Sequence, residues 1–203
     1  RGKIQSARSR ELTSVIVASL VSVLLTAAAL PSRAADTNTS ETDAHIQAPI
    51  LAPLATHSRT AQIVVQQLRR NHYVELKVND ALSSDTFDNY IEALDPGRYY
   101  FLAADIAEFE GYRYELDNAL RRGDLLPAYH MFNRLQKRLL ERTKYMQRAI
   151  DSGLEHLDFT TDEVIRIKRE KVAWSIDQAT QDDLWNRRLK SQVLSMKLND
   201  KEL

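Results

Sequence analysis

A chain of 203 residues with 5 Gly, 5 Pro and no Cys has room for one domain with appendages, and it excludes disulfide staples, thiolate metal sites and a cysteine nucleophile. Hydrophobic residues at 43% and charged residues at 28% are ordinary for a globular chain, and the low glycine content speaks against glycine-rich phosphate loops and sheet-rich architectures. The formal net charge of zero hides an asymmetry: residues 1–34 hold five basic residues (Arg1, Lys3, Arg8, Arg10, Arg33) against Glu11, so the remainder is acidic by four. A mildly acidic body with interspersed signs has no electrostatic footprint for nucleic acid and no polybasic stripe for anionic lipid.

Residues 1–34 read as a secretory signal peptide. A basic start, Arg1–Arg10, precedes an uncharged run from Leu12 to Ser32 rich in Leu, Val and Ala. Pro31 breaks the run, and Ser32-Arg33-Ala34 supplies small residues for cleavage after Ala34. The alternative is a retained inner-membrane tether, because the run is near spanning length. Cleavage is the favoured reading, since the small-residue site follows at once and Thr13, Ser14, Ser19, Ser22 and Thr26 weaken a lipid-facing helix. An exported chain without cysteine fits the periplasm. Residues 35–56 are rich in Thr, Ala and Pro and have no period. They read as a flexible lead, with Pro49 and Pro53 denying a helix and Ile50, Leu51 and Leu54 available to tuck onto the body.

From residue 57 the apolar spacing is helical. Ser58 is placed to cap a first helix with Ile63, Val64, Leu68 and His72 on one face. Ser83 and Ser84 can start a second, carrying Phe87, Tyr90, Ile91 and Leu94. Asp95-Pro96-Gly97 predicts a turn in which Pro fixes φ and Gly takes a positive φ. Tyr99–Leu102 leads into a third helix through Ile106, Phe109, Arg113, Leu116 and Leu120, with Gly111 set to kink or divide it and Gly123 to close it. Asp124 caps the longest helix, with Pro127 in its first turn. Its stripe runs through Leu125, Tyr129, Phe132, Leu135, Leu139, Met146 and Ile150 to Gly153. Thr160 and Glu163 have capping-box spacing for a further helix carrying Val164, Ile167 and Val172. Asp177 or Thr180 opens the last, with Leu184, Trp185, Leu189, Val193 and Met196. The expected fold is all-α: a compact bundle of about six helices, residues 57–203, preceded by the signal peptide and the flexible lead.

Residue clusters that carry chemistry elsewhere are accounted for here by packing and capping. The five histidines, at 45, 57, 72, 130 and 156, show no helical i, i+4 pairing and no H-E-x-x-H pattern. The carboxylate pairs Asp105/Glu108, Asp162/Glu163 and Asp182/Asp183 fall near expected first turns, where acids complement the helix dipole. No serine lies in a G-x-S-x-G elbow, and Ser195 and Lys197, two apart on a helix, point away from each other. Aromatic residues at 90, 99, 100, 101, 109, 112 and 114 read as core at helical spacing. The basic run Arg134, Lys137, Arg138, Arg142 and Arg148 reads as a solvated face. On these grounds the sequence assigns no catalytic, cofactor-binding or metal residue and calls for no cofactor.

Four collinear blocks nevertheless carry a resemblance. They are Ser83–Glu110 (SSDTFDNYIEALDPGRYYFLAADIAEFE), Ala119–Arg138 (ALRRGDLLPAYHMFNRLQKR), Phe159–Trp174 (FTTDEVIRIKREKVAW) and Leu184–Leu198 (LWNRRLKSQVLSMKL). Together they resemble the N-terminal helical domain of Prc-type tail-specific, or carboxyl-terminal processing, serine proteases. The resemblance implies a periplasmic peptidase that binds apolar C-terminal tails through a PDZ domain and cleaves with a serine–lysine dyad. It further implies that the rest of the protease is a partner, that some members work with a tetratricopeptide-repeat lipoprotein adaptor, and that self-association is possible. The 203 residues end before any PDZ or protease segment, so none of the family's catalytic residues is carried over, and this stretch is expected to be non-catalytic. The alternative is a free-standing periplasmic helical adaptor or scaffold, with or without a membrane tether.

Overall fold

The computed structural model describes residues 49–71, 78–154 and 157–199. Within these it is all-α. Six helices are present: α1 (Ala55–Asn71), α2 (Asp80–Leu94), α3 (Ala103–Phe109), α4 (Leu116–Arg122), α5 (Leu126–Asp151) and α6 (Gln178–Leu198), with a short 3-10 turn at Glu110–Tyr112. The signal peptide, most of the flexible lead, and His45, His72 and His156 lie outside the described residues. No helix among the described residues is long and apolar enough to cross a membrane. The chain divides into two units: Arg1–Ala93 with Gly111–Asn133, and Leu94–Glu110 with Arg134–Leu203.

In the first unit α1 starts three residues ahead of the expected Ser58. Leu54 is the last extended residue, and its N–H donates to His57 Nδ1 while its carbonyl accepts from the His57 and Ser58 N–H groups. The histidine side chain therefore does the work that an N3 Glu or Gln does in a capping box, accepting from the N-cap N–H. The stripe is also rotated: Val65 is buried and Ile63 faces solvent. Of the three apolar residues of the lead, Ile50 and Leu54 are exposed. Leu51 is held through its backbone, with N–H and C=O both bonded to the Asn133 side-chain amide.

Asn79, not Ser83 or Ser84, caps α2, its Oδ1 accepting from Leu82 N–H and its carbonyl from Ser83 N–H. Ser83 is buried and serves a different helix. Its hydroxyl donates to Arg113 C=O at 2.7 Å and accepts from the N–H groups of Leu116 at 2.9 Å and Asp117 at 3.3 Å. Those two donors open α4, whose own preceding residue, Glu115, gives no side-chain cap. A cap borrowed from 33 residues away thus ties α2 to α4. Ser83→Ala is expected to lower stability by about 2 kcal/mol, since it strands two helix N–H groups and a carbonyl. Amide hydrogen exchange at Leu116 and Asp117 should accelerate; exchange at the wild-type rate would refute the borrowed cap.

Phe87, Tyr90 and Ile91 of α2 are buried as the spacing predicts. Tyr90 donates to Ala128 C=O at 3.1 Å, and burial, with a smaller contribution from Tyr129, pushes its phenol far above the ordinary value. Gly123 closes α4 in the left-handed region at φ 72°. A Cβ there would also stand 2.8 Å from Ser58 C=O, so this glycine is required both by conformation and by close approach.

The second unit holds residues 94–110, the rest of α5, and α6 with the segment that precedes it. Gly111 marks the division of the expected third helix into α3 and α4. The Asp95 turn forms, but the positive φ falls on Arg98, at 51°. Gly97 is needed for space instead: a Cβ would meet the Tyr99 ring at 2.3 Å. Phe101 and Phe109 are fully buried and meet edge to face at 5.5 Å, with Trp174 against Phe101 at 6.0 Å. Leu102 forms an isolated parallel bridge with Ser175, and Ala103 N–H donates to Ser175 C=O. Asp177 caps α6 by accepting from Thr180 N–H at 2.8 Å.

Two expectations fail in this unit. The helix expected from Thr160 does not form; residues 157–177 are irregular. Thr160 bonds Asp158, and Glu163 takes Thr161 and Lys190 instead of returning to a cap. The segment is rich in β-branched Val164, Ile165, Ile167 and Val172, which lose side-chain freedom in a helix. The basic run of α5 is not a solvated face either. Arg134 and Arg138 converge on Asp105, which is 1% exposed, and Arg142 is buried against Asp182. Only Lys137 and Arg148 of that run are exposed.

Candidate docking groove

Arg169 is the hub of the irregular segment. Its Nε donates to Gly97 C=O at 3.1 Å and its Nη2 to Arg98 C=O at 3.4 Å, so it grips the turn that Asp95 organises. The guanidinium stacks over Tyr99 at 5.1 Å. Arg98 in turn donates to Val172 C=O and lies over Trp174 at 4.9 Å. Arg188 of α6 also packs on this aromatic group, 4.0 Å from the Tyr99 centroid and 5.2 Å from that of Trp185. Trp185 Nε1 and Gln181 Nε2 both donate to Tyr99 C=O. The irregular backbone is therefore pinned by arginines and by carbonyls, not by a helix ladder.

Arg169 is 8% exposed, and no carboxylate pairs with it among the described residues. Burial pulls its pKa below the ordinary arginine value, with Arg188 and Arg166 acting the same way against Tyr99 and Asp95. An arginine stays charged in any protein environment, and Asp95, the acid that organises the turn Arg169 grips, acts on it without a direct ion pair.

The pinned segment and α6 enclose a trough. One hollow of about 520 Å³ is walled by Val164, Val172, Trp174, Ile176 and Leu184, with Arg166, Arg169 and Arg187 supplying the polar groups. A second, of about 360 Å³, is walled by Phe159, Ile167 and Leu194, with Asp158, Glu163 and Lys190 among its polar groups. The two hollows adjoin at Ile165 and Arg187, which line both. The aliphatic rim is open to solvent: Val164 is 77%, Ile167 88% and Ile176 74% exposed. Clustered large apolar side chains at such exposure mark an interaction site. Asp183, the acid within the first hollow, is engaged by Arg187.

The residues considered for catalysis are distributed elsewhere. His57 Nδ1 accepts from Leu54 N–H and meets the Tyr129 hydroxyl at 2.8 Å, and His130 Nδ1 meets the Tyr112 hydroxyl at 3.0 Å. Asp105 and Glu108 share Arg134 instead of facing each other across a cleft. Ser195 and Lys197 lie on the exposed end of α6, with Lys197 over the Phe159 ring at 5.0 Å. Among the described residues no three His, Asp or Glu side chains are placed to hold a metal ion. Sequence reasoning missed the groove because it assigned its aliphatic wall to a buried helix face. The available signal was the alternation of Val164, Ile165 and Ile167 with Arg166, Lys168 and Arg169.

The described residues form an all-α module. The family model for the tail specific protease N-terminal domain matches residues 64–203. A tail-specific protease of Haemophilus influenzae is 34% identical over 137 residues, which is 67% of this chain and 19% of the relative. The chain belongs to the family of tail-specific protease N-terminal domains, and it spans about a fifth of the length of that curated relative.

Proposed function

We propose that this module is the scaffold and docking part of a periplasmic tail-specific serine protease that degrades or processes proteins from apolar C-terminal tails. In this reading the PDZ domain and the serine–lysine dyad lie in other parts of the polypeptide. Residues 1–34 export the chain to the periplasm, and the helical domain frames the proteolytic chamber and presents a face to an adaptor such as a tetratricopeptide-repeat lipoprotein. The observation that carries the docking role is the open aliphatic rim of Val164, Ile167 and Ile176 beside α6. Single exposed apolar residues are ordinary, whereas several around one concavity are a contact surface.

The test is made in the full-length protease with Ile167→Asp and Ile176→Asp. Both side chains are exposed, so folding should be kept. Cleavage of a short peptide with an apolar C-terminus should stay near the wild-type rate, while degradation of a folded protein carrying that tail falls about tenfold, the effect expected of losing contact anchors. Undiminished degradation of the folded substrate would refute the docking role. Hydrolysis of the short peptide by the 203-residue chain alone would refute the assignment of catalysis to other segments.

A further inference from the structure

The wall of the groove is also a stretch of backbone open to attack. We infer that the Arg166–Ile167 peptide bond is a regulatory cleavage site for an endopeptidase that takes a cationic side chain in its primary pocket. The cut switches the docking face off. The switch rests on the docking role proposed above; the cleavage site itself does not.

Three observations converge on this bond. The first is the freedom of the backbone. Residues 157–177 are irregular, and from Val164 to Lys168 no main-chain group bonds to another main-chain group among the described residues. A peptidase must draw its substrate out as an extended strand. A helix has to unwind first, whereas this stretch starts unpaired. The second is the exposure of the side chains. Arg166 is exposed and has no ion pair among the described residues. Val164 is exposed too, as is Ile167 on the far side of the bond, and only Ile165 of this stretch is half-buried. A cationic side chain open to solvent can enter a pocket floored by an acid, the arrangement that gives trypsin its preference. The third is the pair of anchors on either side. Glu163 pairs with Lys190 of α6, a partly exposed ion pair that is weak enough to let the stretch lift. Arg169 grips the Gly97 and Arg98 carbonyls and holds the other end in place.

The neighbouring basic residues are poorer sites. Arg169 is buried with its guanidinium engaged, so it cannot fill a pocket. Lys168 is followed directly by that fixed residue. The Lys171–Val172 bond lies in a turn, with Val172 N–H donating to Arg169 C=O at 2.9 Å and Val172 C=O accepting from Arg98.

Hydrolysis adds one water across the bond, leaves a carboxylate on Arg166 and an ammonium on Ile167, and needs no other reactant. Val164 and Ile165 then end one chain and Ile167 begins another, so the rim loses its fixed spacing. A new charge of each sign also appears in the aliphatic wall, where it disfavours an apolar contact. The packing of the unit is not cut: Phe101 stays against Phe109 and Trp174, and Arg169 stays on the Gly97 turn. The nick removes the docking face and leaves the unit folded.

The experiment uses the full-length protease, with trypsin at a limiting ratio as the probe and new N-termini read by mass spectrometry. Ile167 should appear as a new N-terminus before Arg169 or Val172. It should form about tenfold faster than the N-termini that follow Lys137, Lys144 and Arg148, which are exposed but must wait for α5 to open. A cut after Arg166 no faster than those in α5 would overturn the site, and so would earlier cutting after Lys168 or Lys171. In a second arm, degradation of a folded protein with an apolar C-terminal tail is measured after partial digestion, each sample against its own undigested control. Nicked wild-type protease should lose about tenfold in that rate, as expected when contact anchors are lost, while it still hydrolyses a short peptide with the same tail. Arg166→Gln, which trypsin cannot cut at this bond, separates the nick from cuts elsewhere and should keep its own rate after the same treatment. Equal loss in both proteins, or no loss in the nicked wild type, would overturn the switch. Unfolded-state tryptophan fluorescence in the nicked protein would overturn it as well.

The two readings fail separately. Preferred cutting after Arg166, with full folded-substrate degradation in Ile167→Asp and Ile176→Asp, would discard the docking role and keep the cleavage site. Loss of degradation in those variants without a preferred cut after Arg166 would keep the docking role and discard the cleavage site.

Discussion

Asp105→Asn is expected to destabilise the second unit by about 3 kcal/mol, the lower end of the cost of breaking a buried ion pair by removing one partner. The carboxylate of Asp105 is 1% exposed and accepts four bonds. Arg138 Nε at 2.8 Å and Arg138 Nη2 at 3.0 Å bind it side-on, Arg134 Nη1 adds a third, and Leu102 N–H, at the start of α3, adds a fourth at 2.9 Å. An amide of the same shape removes the charge and turns one acceptor into a donor that faces a guanidinium. The lower end applies because both arginines keep a second acid, Glu108 for Arg134 and Glu141 for Arg138, and both are partly open to solvent. The chain's 2 Trp, Trp174 and Trp185, both lie in this unit, so urea unfolding followed by tryptophan fluorescence reads it selectively. A loss under 1 kcal/mol would show that solvent screens the cluster like a surface pair.

The same site predicts a pH dependence. Burial acts to raise the Asp105 pKa, but the bonds from Arg138, the Leu102 N–H and Arg134 together outweigh it and hold the group below its ordinary value of 3.8. A carboxyl whose folded pKa is depressed gives stability that is complete above the unfolded value and drains away as pH falls through the folded one. Stability of the second unit should therefore fall below pH 3.8, and Asp105→Asn should flatten that fall.

The residues of this cluster show where sequence reasoning reaches its limit. Ala128, Met131, Leu135, Arg138 and Arg142 step by three and four along α5, so the arginines continue the buried stripe. Leu139 and Ile150, assigned to that stripe, are 36% and 44% exposed. Periodicity alone does not say that charged residues stand on the inner face. The compensating acid is 33 residues away from Arg138 and leaves no local trace. Local chemistry was legible where it is self-contained: Asp177 on Thr180, Gly123 in the left-handed region, Asp124 accepting from Leu126 N–H, Phe87 and Tyr90 on one face. It misled where a cap is borrowed across the fold, as Ser83 is by α4, or where a helix-like pattern lacks a surface to bury against, as at Val164 and Ile167. The groove arises from that last failure. Its aliphatic residues look like core when counted along the chain, and only their exposure identifies them as a contact surface.

Asp95→Ala is expected to cost the second unit about 4 kcal/mol, because three backbone donors, one buried and two half-buried, lose their acceptor together, each worth about 1–3 kcal/mol when stranded. Oδ1 of Asp95 takes the Tyr99 N–H at 2.9 Å, and Oδ2 takes those of Tyr100 at 2.9 Å and Phe101 at 3.0 Å. Arg98 N–H returns to the Asp95 carbonyl at 3.1 Å. One carboxylate thereby folds the chain back on itself and aims Tyr99 at Trp185 and Phe101 at Phe109 and Trp174. Asp95 is 1% exposed, so the carboxylate itself is shielded from water and its loss leaves donors facing the interior. Asp95→Asn should cost less, about 2 kcal/mol, since the remaining carbonyl oxygen still accepts while the NH₂ opposes a backbone N–H. The effect should extend to the groove, because Arg169 grips the carbonyls of Gly97 and Arg98 inside this turn. At urea concentrations where Asp95→Asn is still folded, its Trp174 indole and Arg169 Nε resonances should be displaced from their wild-type positions. A folded Asp95→Ala protein of unchanged stability would mean that these three N–H groups find other acceptors, and the turn would then owe its shape to Pro96 and the packing of Tyr99 against Gly97.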